Sequence, residues 1–208
     1  MIGPRGGVKG GARRLAGMGL LAALVLLGPG GPAARGAEPA LDADLAVAEP
    51  SDYRFEPYRA PTPATLAGAQ VLSTAQAEAL WRAKGAVFVD VLPRPPRPAN
   101  LPAGTLWRDL PHDSIPGSAW LPNVGFGALD GASQRYFEDG LTALTGGDRH
   151  RLVVLFCLKD CWMSWNAAKR ALAGGFDRVA WFPEGVDGWK AAGLPLERLE
   201  PWQPGPAR

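Results

Sequence analysis

Residues 152–156, read as LVVLF, constrain this chain more than any other segment. Five consecutive apolar residues without alternation describe a strand buried on both faces, as in the middle of a parallel sheet. After a gap of six residues an apolar pattern at helical spacing begins, over 163–173, and Gly174-Gly175 stops it. A central strand, a short loop and a helix make one half of an α/β crossover. The loop of 157–162 carries the only two cysteines of the chain, Cys157 and Cys161.

The flanking segments continue the alternation. Ser73 and Gln76 fit a capping box for a helix that runs to Lys84 and is stopped by Gly85. Residues 86–91 (AVFVDV) form a short buried strand ending at Asp90. A Pro-rich loop follows over 93–116, then a short strand over 118–121 and a helix over 134–144. Residues 179–182 are a further strand. Pro183-Glu184-Gly185 turns into a short helix over 186–192, ended by Gly193 and Pro195. The expected fold class is α/β: a single domain with a central parallel sheet flanked by helices.

The first 37 residues stand outside that pattern. Arg5, Lys9, Arg13 and Arg14 precede an apolar run over 15–27, and small residues follow up to Ala37. This is the layout of a secretory signal peptide, with an apolar run shorter than the roughly 20 residues of a spanning helix. Removing it takes away five of the 22 basic residues and none of the 20 acidic ones, turning a net charge of +2 into −3. The mature chain therefore has no basic excess to recommend a nucleic acid or a membrane surface as partner. Residues 38–68 read as a Pro-rich N-terminal arm, with Pro39, Pro50, Pro57, Pro61 and Pro63 opposing regular structure and Tyr53, Phe55 and Tyr58 favouring packing on the domain. The domain spans 69–198, and 199–208 is a C-terminal tail.

Several segments, in this order, resemble the rhodanese-like family: Asp90 at the end of an early strand, Ser114-Ile115-Pro116-Gly117-Ser118-Ala119, Cys157 after the central strand, and Glu184-Gly185-Val186-Asp187-Gly188-Trp189 with Gly193-Leu194-Pro195. The resemblance covers about 70–197. The stretch from Cys157 to Arg170, with WRDLP and WLPN, is similar to the exported proteins named for pyrroloquinoline quinone (PQQ)-dependent catabolism and a CXXCW motif, although three residues separate the cysteines here. That similarity implies a periplasmic protein supporting PQQ-dependent alcohol or aldehyde catabolism. Its implied partner is a PQQ-dependent dehydrogenase or an associated electron-transfer protein.

A loop that feeds a helix points amide N–H groups and the positive helix end at one spot, so a thiolate there is stabilised. Cys157 is the expected nucleophile, with a pKa below the free value, helped by Lys159 and opposed by Asp160. In the family's six-position loop the second and sixth positions often carry cations; here they are Leu158 and Trp162. An oxyanion such as thiosulfate then lacks its guanidinium clamp, which argues against plain thiosulfate sulfurtransfer. Cys161 instead supplies a second thiol, for a reversible disulfide or for resolving a persulfide on Cys157. Trp162 is a candidate pocket wall that stacks on a redox cofactor or partner, or simply packs. Asp90 orients the loop or Lys159, or caps the following turn. Asn166 is expected to hydrogen-bond the loop, and Lys169 to face solvent. With His112 and His150 far from zinc-like spacing, no metal is expected, and no bound cofactor is implied. The alternative from another class is a non-catalytic binding module for a redox partner or quinone-like cofactor.

Overall fold

The computed structural model describes residues 47–106 and 110–205. The signal segment 1–37, the start of the arm over 38–46, Trp107-Arg108-Asp109 of WRDLP and the last three residues lie outside the described residues.

Five strands form one parallel sheet: β1 (Gln70–Val71), β2 (Val87–Asp90), β4 (Ala119–Trp120), β5 (Val153–Phe156) and β6 (Val179–Phe182), in the order β1-β6-β5-β2-β4. β5 is the central strand, and all four of its residues are fully buried. Its side chains divide between two cores, which is why the sequence shows no alternation. Val153 and Leu155 pack with Val89 and Trp181 on the face covered by α2 (Gly131–Thr145) and α3 (Trp162–Ala173). Val154 and Phe156 pack with Phe88 and Phe182 under α1 (Thr74–Arg82) and α4 (Gly185–Ala191). The fold is α/β, with a central parallel sheet of five strands flanked by helices.

Local chemistry sets the element ends. Ser73 caps α1 through the expected box, its hydroxyl accepting from Gln76 N–H while Gln76 accepts from Ser73 N–H. The left-handed residue after α1 is Lys84 (φ 50), not Gly85. α2 starts three residues earlier than the sequence pattern predicts, because Asp130 caps it by accepting from Ser133 N–H at 2.7 Å. Three strands fall where none is expected: β1 at the start of the domain, and two outside the parallel sheet. β3 (His112–Ser114) lies inside the Pro-rich loop and pairs antiparallel with β7 (Glu197–Leu199). Beyond β7 the chain stays on the domain: Trp202 N–H bonds Trp120 O, and the Tyr136 hydroxyl bonds Trp202 O.

In the sheet register Asp90 lies beside Phe156 and Phe156 beside Phe182. The carboxyl ends of β2, β5 and β6 are therefore level. Asp90, the loop after Phe156 and the turn after Phe182 meet along one edge of the sheet, where open α/β sheets place their sites.

Candidate functional site

Cys157 leaves β5 under a tight constraint. Its carbonyl accepts from Val186 N–H at 2.9 Å, and Leu158 forms a β-bridge with Gly185. Gly185 has φ +50, and a Cβ there would overlap the Cys157 carbonyl oxygen. A backbone clash and a left-handed φ together leave glycine the one residue that fits. Gly185→Ala is expected to lower stability by about 2–4 kcal/mol, combining the left-handed penalty with overpacking. A urea midpoint equal to wild type would show that this contact does not hold the loop.

The loop turns at Asp160 (φ 53) and ends at Cys161, the N-cap residue of α3. Trp162 is the first residue of the helix rather than the last of the loop. Both thiols are free, and their sulfurs lie 2.8 Å apart, with Cys157 as donor and Cys161 as acceptor. In that arrangement the two sulfurs differ in how easily each holds charge, Cys161 the more easily. Cys157 is fully buried, and burial first of all, then its donation to Cys161, the Cys161 charge and the nearby Asp90 carboxylate, push its thiol well above the usual range. Cys161 is drawn down to about 7. The Cys157 hydrogen bond is the leading cause, opposed by burial and assisted by Met163 N–H, the Arg59 guanidinium and Leu158 N–H. The helix start serves the second cysteine because that residue, not the first, occupies the N-cap.

The other residues singled out by sequence divide sharply. Leu158 is half-buried on the Gly185 turn. Lys159 is exposed, and its amide donates to Asp187 at 3.0 Å. Asp160 is exposed, while its carbonyl accepts from Ala60 N–H at 3.1 Å. Trp162 is not exposed as a pocket wall. It is buried, packs edge-on against Trp165, and donates to Pro61 O. Asp90 caps its own turn by accepting from Leu92 N–H at 2.8 Å. Its second oxygen accepts from Ser114 Oγ at 2.5 Å and meets His112 Nε2 at 2.8 Å. All three residues are buried. Asp90 thus ties the Pro-rich loop to the sheet rather than reaching Lys159. Sequence reasoning missed the roles of His112 and Ser114; the hint was a polar HDS segment directly before Ile115-Pro116.

Asn166 serves the arm, not the sulfur loop. Fully buried, it accepts from Arg54 N–H at 2.9 Å and donates to Arg54 O and Gly125 O. Lys169 does not face solvent freely: it donates to Pro50 O and Ser51 O and lies over the Trp165 ring. Trp165 donates to Thr65 O. The arm is therefore bound along α3 from Pro50 to Thr65. At the loop itself Trp162 N–H bonds Tyr58 O at 2.9 Å, and Arg59 forms an antiparallel bridge with Cys161.

Among the described residues no group of three or more His, Cys, Asp or Glu is placed to hold a metal ion, and no helix is long and apolar enough to cross a membrane. A cleft of 420 Å³ beside the loop is lined by Thr74, Lys159, Glu184 and Asp187 and reaches neither sulfur.

No protein-family model matches the chain, and no curated protein matches it. Solved structures similar to it include a thiosulfate sulfurtransferase from Pseudomonas aeruginosa, 20% identical with a TM-score of 0.44 over 67% of this chain and 22% of that one. The chain thus spans 22% of that protein's length. Another is the polysulfide-sulfur transferase homodimer from Wolinella succinogenes, 21% identical with a TM-score of 0.39 over 63% and 80%. A full-length protein from Lactobacillus plantarum is 20% identical, with a TM-score of 0.38 over 63% and 88%.

Proposed function

We propose that this chain is a rhodanese-like thiol protein in which Cys161 is the attacking thiolate and Cys157 the resolving thiol. The observation that carries the reading is the pair of sulfurs 2.8 Å apart, with Cys161 at the N-cap of α3. In the forward reaction Cys161 Sγ attacks one sulfur of a disulfide, forming a mixed disulfide and expelling the other sulfur as a thiolate. Cys157 gives its proton to that thiolate and attacks Cys161 Sγ, releasing the second sulfur. Two electrons pass from the protein dithiol to the disulfide, and an intramolecular disulfide remains. If Cys161 Sγ instead attacks the terminal sulfane sulfur of a polysulfide, breaking its S–S bond and expelling the shortened polysulfide, the persulfide formed on Cys161 is opened by the same Cys157 attack, which releases the sulfur as hydrosulfide.

The rhodanese-like assignment is supported by the order of Asp90, Ile115-Pro116-Gly117, Cys157 and the Gly185 turn, three of which lie along one sheet edge. Leu158 and Trp162 offer no guanidinium, and the Arg59 guanidinium reaches Cys161 from the arm rather than from the loop, so the loop has no clamp of its own and thiosulfate sulfurtransfer is disfavoured. Periplasmic action beside a PQQ-dependent dehydrogenase or its electron-transfer partner is the finer part of the proposal. It rests on the leader-like first 37 residues and the Cys-Trp segment. Burial of both sulfurs favours a second reading, a non-catalytic binding module. Replacing both cysteines by Ser leaves cellular function intact under that reading and abolishes it under the first.

The test is mass spectrometry of the full chain after exposure to oxidised glutathione, with the rate followed against pH. A loss of about 2 Da marks the internal disulfide, and a gain of about 32 Da on isolated protein marks a persulfide. Because the Cys161 pKa is lowered to about 7, the rate falls roughly tenfold per pH unit below 7 and levels off above it. Cys157→Ala removes the leading cause of that lowering, so the inflection moves up toward the free-thiol value. A wild-type inflection already at the free-thiol value would exclude Cys161 as the stabilised thiolate.

A further inference from the structure

Both sulfurs are covered, Cys157 completely and Cys161 to 3% exposure, yet exchange requires a partner sulfur in line with Cys161. What covers Cys161 is a segment of extended backbone. Ala60 N–H bonds Asp160 O at 3.1 Å, and Trp162 N–H bonds Tyr58 O at 2.9 Å. Arg59 and Cys161 sit opposite each other between those two bonds. In antiparallel pairing, residues flanked in this way form the non-hydrogen-bonded pair, whose Cα atoms approach to about 4.5 Å and whose side chains share one face. That separation falls inside the range of about 4.4–6.8 Å that a disulfide needs. The position opposite Cys161 is thus where a cysteine on a paired strand would be bonded to it without moving backbone.

We propose that the partner is an extended polypeptide segment carrying a disulfide, which pairs antiparallel with residues 160–162 in place of residues 58–60 and puts its cysteine where Arg59 now stands. The inference rests on the dithiol reading and names its partner class. The arm is then a built-in competitor for the same backbone groups: the Asp160 carbonyl and the Trp162 amide are the two that a substrate strand takes over. In the exchange the partner S–S bond breaks and the Cys161–partner bond forms. The departing partner sulfur takes the Cys157 proton. Cys157 then closes the internal disulfide and frees the segment with both its sulfurs reduced. The partner disulfide is the oxidant, and no other co-reactant is needed.

Two experiments on the full chain test this. In Arg59→Cys combined with Cys157→Ser, where no resolving thiol remains, mild oxidation is expected to link the introduced thiol to Cys161 as the dominant product, seen as a crosslinked peptide after digestion without reductant. Glu56→Cys in the same Cys157→Ser background, three residues along the exposed arm, is expected to give no such crosslink above background. A Cys161 that stays unlinked in Arg59→Cys/Cys157→Ser, or equal crosslinking from position 56, overturns the proposal. In the second experiment Ala60→Pro removes the amide that bonds Asp160 O. Loss of one such bond is expected to raise the rate of reaction with a disulfide-bridged extended peptide about fivefold. Oxidised glutathione serves as the control for the chemistry. If glutathione disulfide reacts but the peptide rate in Ala60→Pro does not rise, the partner assignment fails and the dithiol reading stands. If neither disulfide reacts with wild type or variant, the dithiol reading itself fails.

Discussion

Cys161→Ser is expected to slow the reaction of this protein with oxidised glutathione at pH 7 by about a hundredfold, while Cys157→Ser halts it at a stable mixed disulfide. The asymmetry follows from which sulfur is charged. With a pKa of about 7, close to half of the Cys161 population is thiolate at neutral pH. Cys157 is held well above its ordinary range by burial, so its thiolate is the scarcer of the two. In Cys161→Ser only that scarcer thiolate remains to attack, from behind a covered loop. In Cys157→Ser the attacking thiolate survives, because a serine hydroxyl still donates to it. No thiol is then left to expel glutathione. Intact-mass measurement distinguishes the two variants: unmodified chain from the first, a glutathione adduct from the second. The opposite pattern, an adduct on Cys161→Ser and none on Cys157→Ser, would restore Cys157 as the nucleophile.

The largest effect on stability is expected at Asp90. Its carboxylate is the shared acceptor for Leu92 N–H, the Ser114 hydroxyl and His112 Nε2. Asp90→Ala leaves the buried His112 and Ser114 side chains and the part-buried Leu92 N–H with nothing to accept from them. A single unsatisfied buried donor costs about 1–3 kcal/mol, and stripping one partner from a buried polar or charged pair costs about 3–5. The variant should therefore lose about 3–5 kcal/mol in urea unfolding, a large share of the roughly 5–15 kcal/mol that stabilises a domain. Asp90→Asn retains an acceptor oxygen and should lose less than half as much. Because His112 and Ser114 belong to β3, the loss should also free β3 from β7 and expose the Trp120 ring, which stacks on His112 at 4.3 Å. Tryptophan fluorescence in Asp90→Ala should shift accordingly before global unfolding. A loss below about 1 kcal/mol would mean that the loop is held by other contacts.

What sequence reasoning reached was what depends on neighbours in the chain. The apolar run of β5, the capping box of α1 and the glycines after α2 each specify their local structure within a few residues. The order of those elements is enough for the α/β sheet and for placing both cysteines between β5 and α3. What it did not reach is set by pairs far apart in sequence. The Asp90–His112 contact joins β2 to a segment that reads as irregular because of its prolines. β7 has no apolar alternation and exists because β3 is beside it. Lys169 and Asn166 look like surface and loop residues until the arm is laid across α3. The choice between the two sulfurs lies beyond the sequence for a different reason. A strand–loop–helix pattern says that some thiol in the loop is stabilised, but the choice between Cys157 and Cys161 depends on which one occupies the N-cap and which one donates, and neither is encoded in the spacing.

The contacts between arm and α3 join residues about a hundred positions apart: 112 for Arg54 and Asn166, 101 for Pro61 and Trp162, 100 for Thr65 and Trp165. Within the sheet Gln70 pairs with Ala180, 110 positions away, so docking the arm carries no greater closure cost than docking the edge strand β1. The cover over the two sulfurs is therefore as much a part of the folded domain as the border of its own sheet.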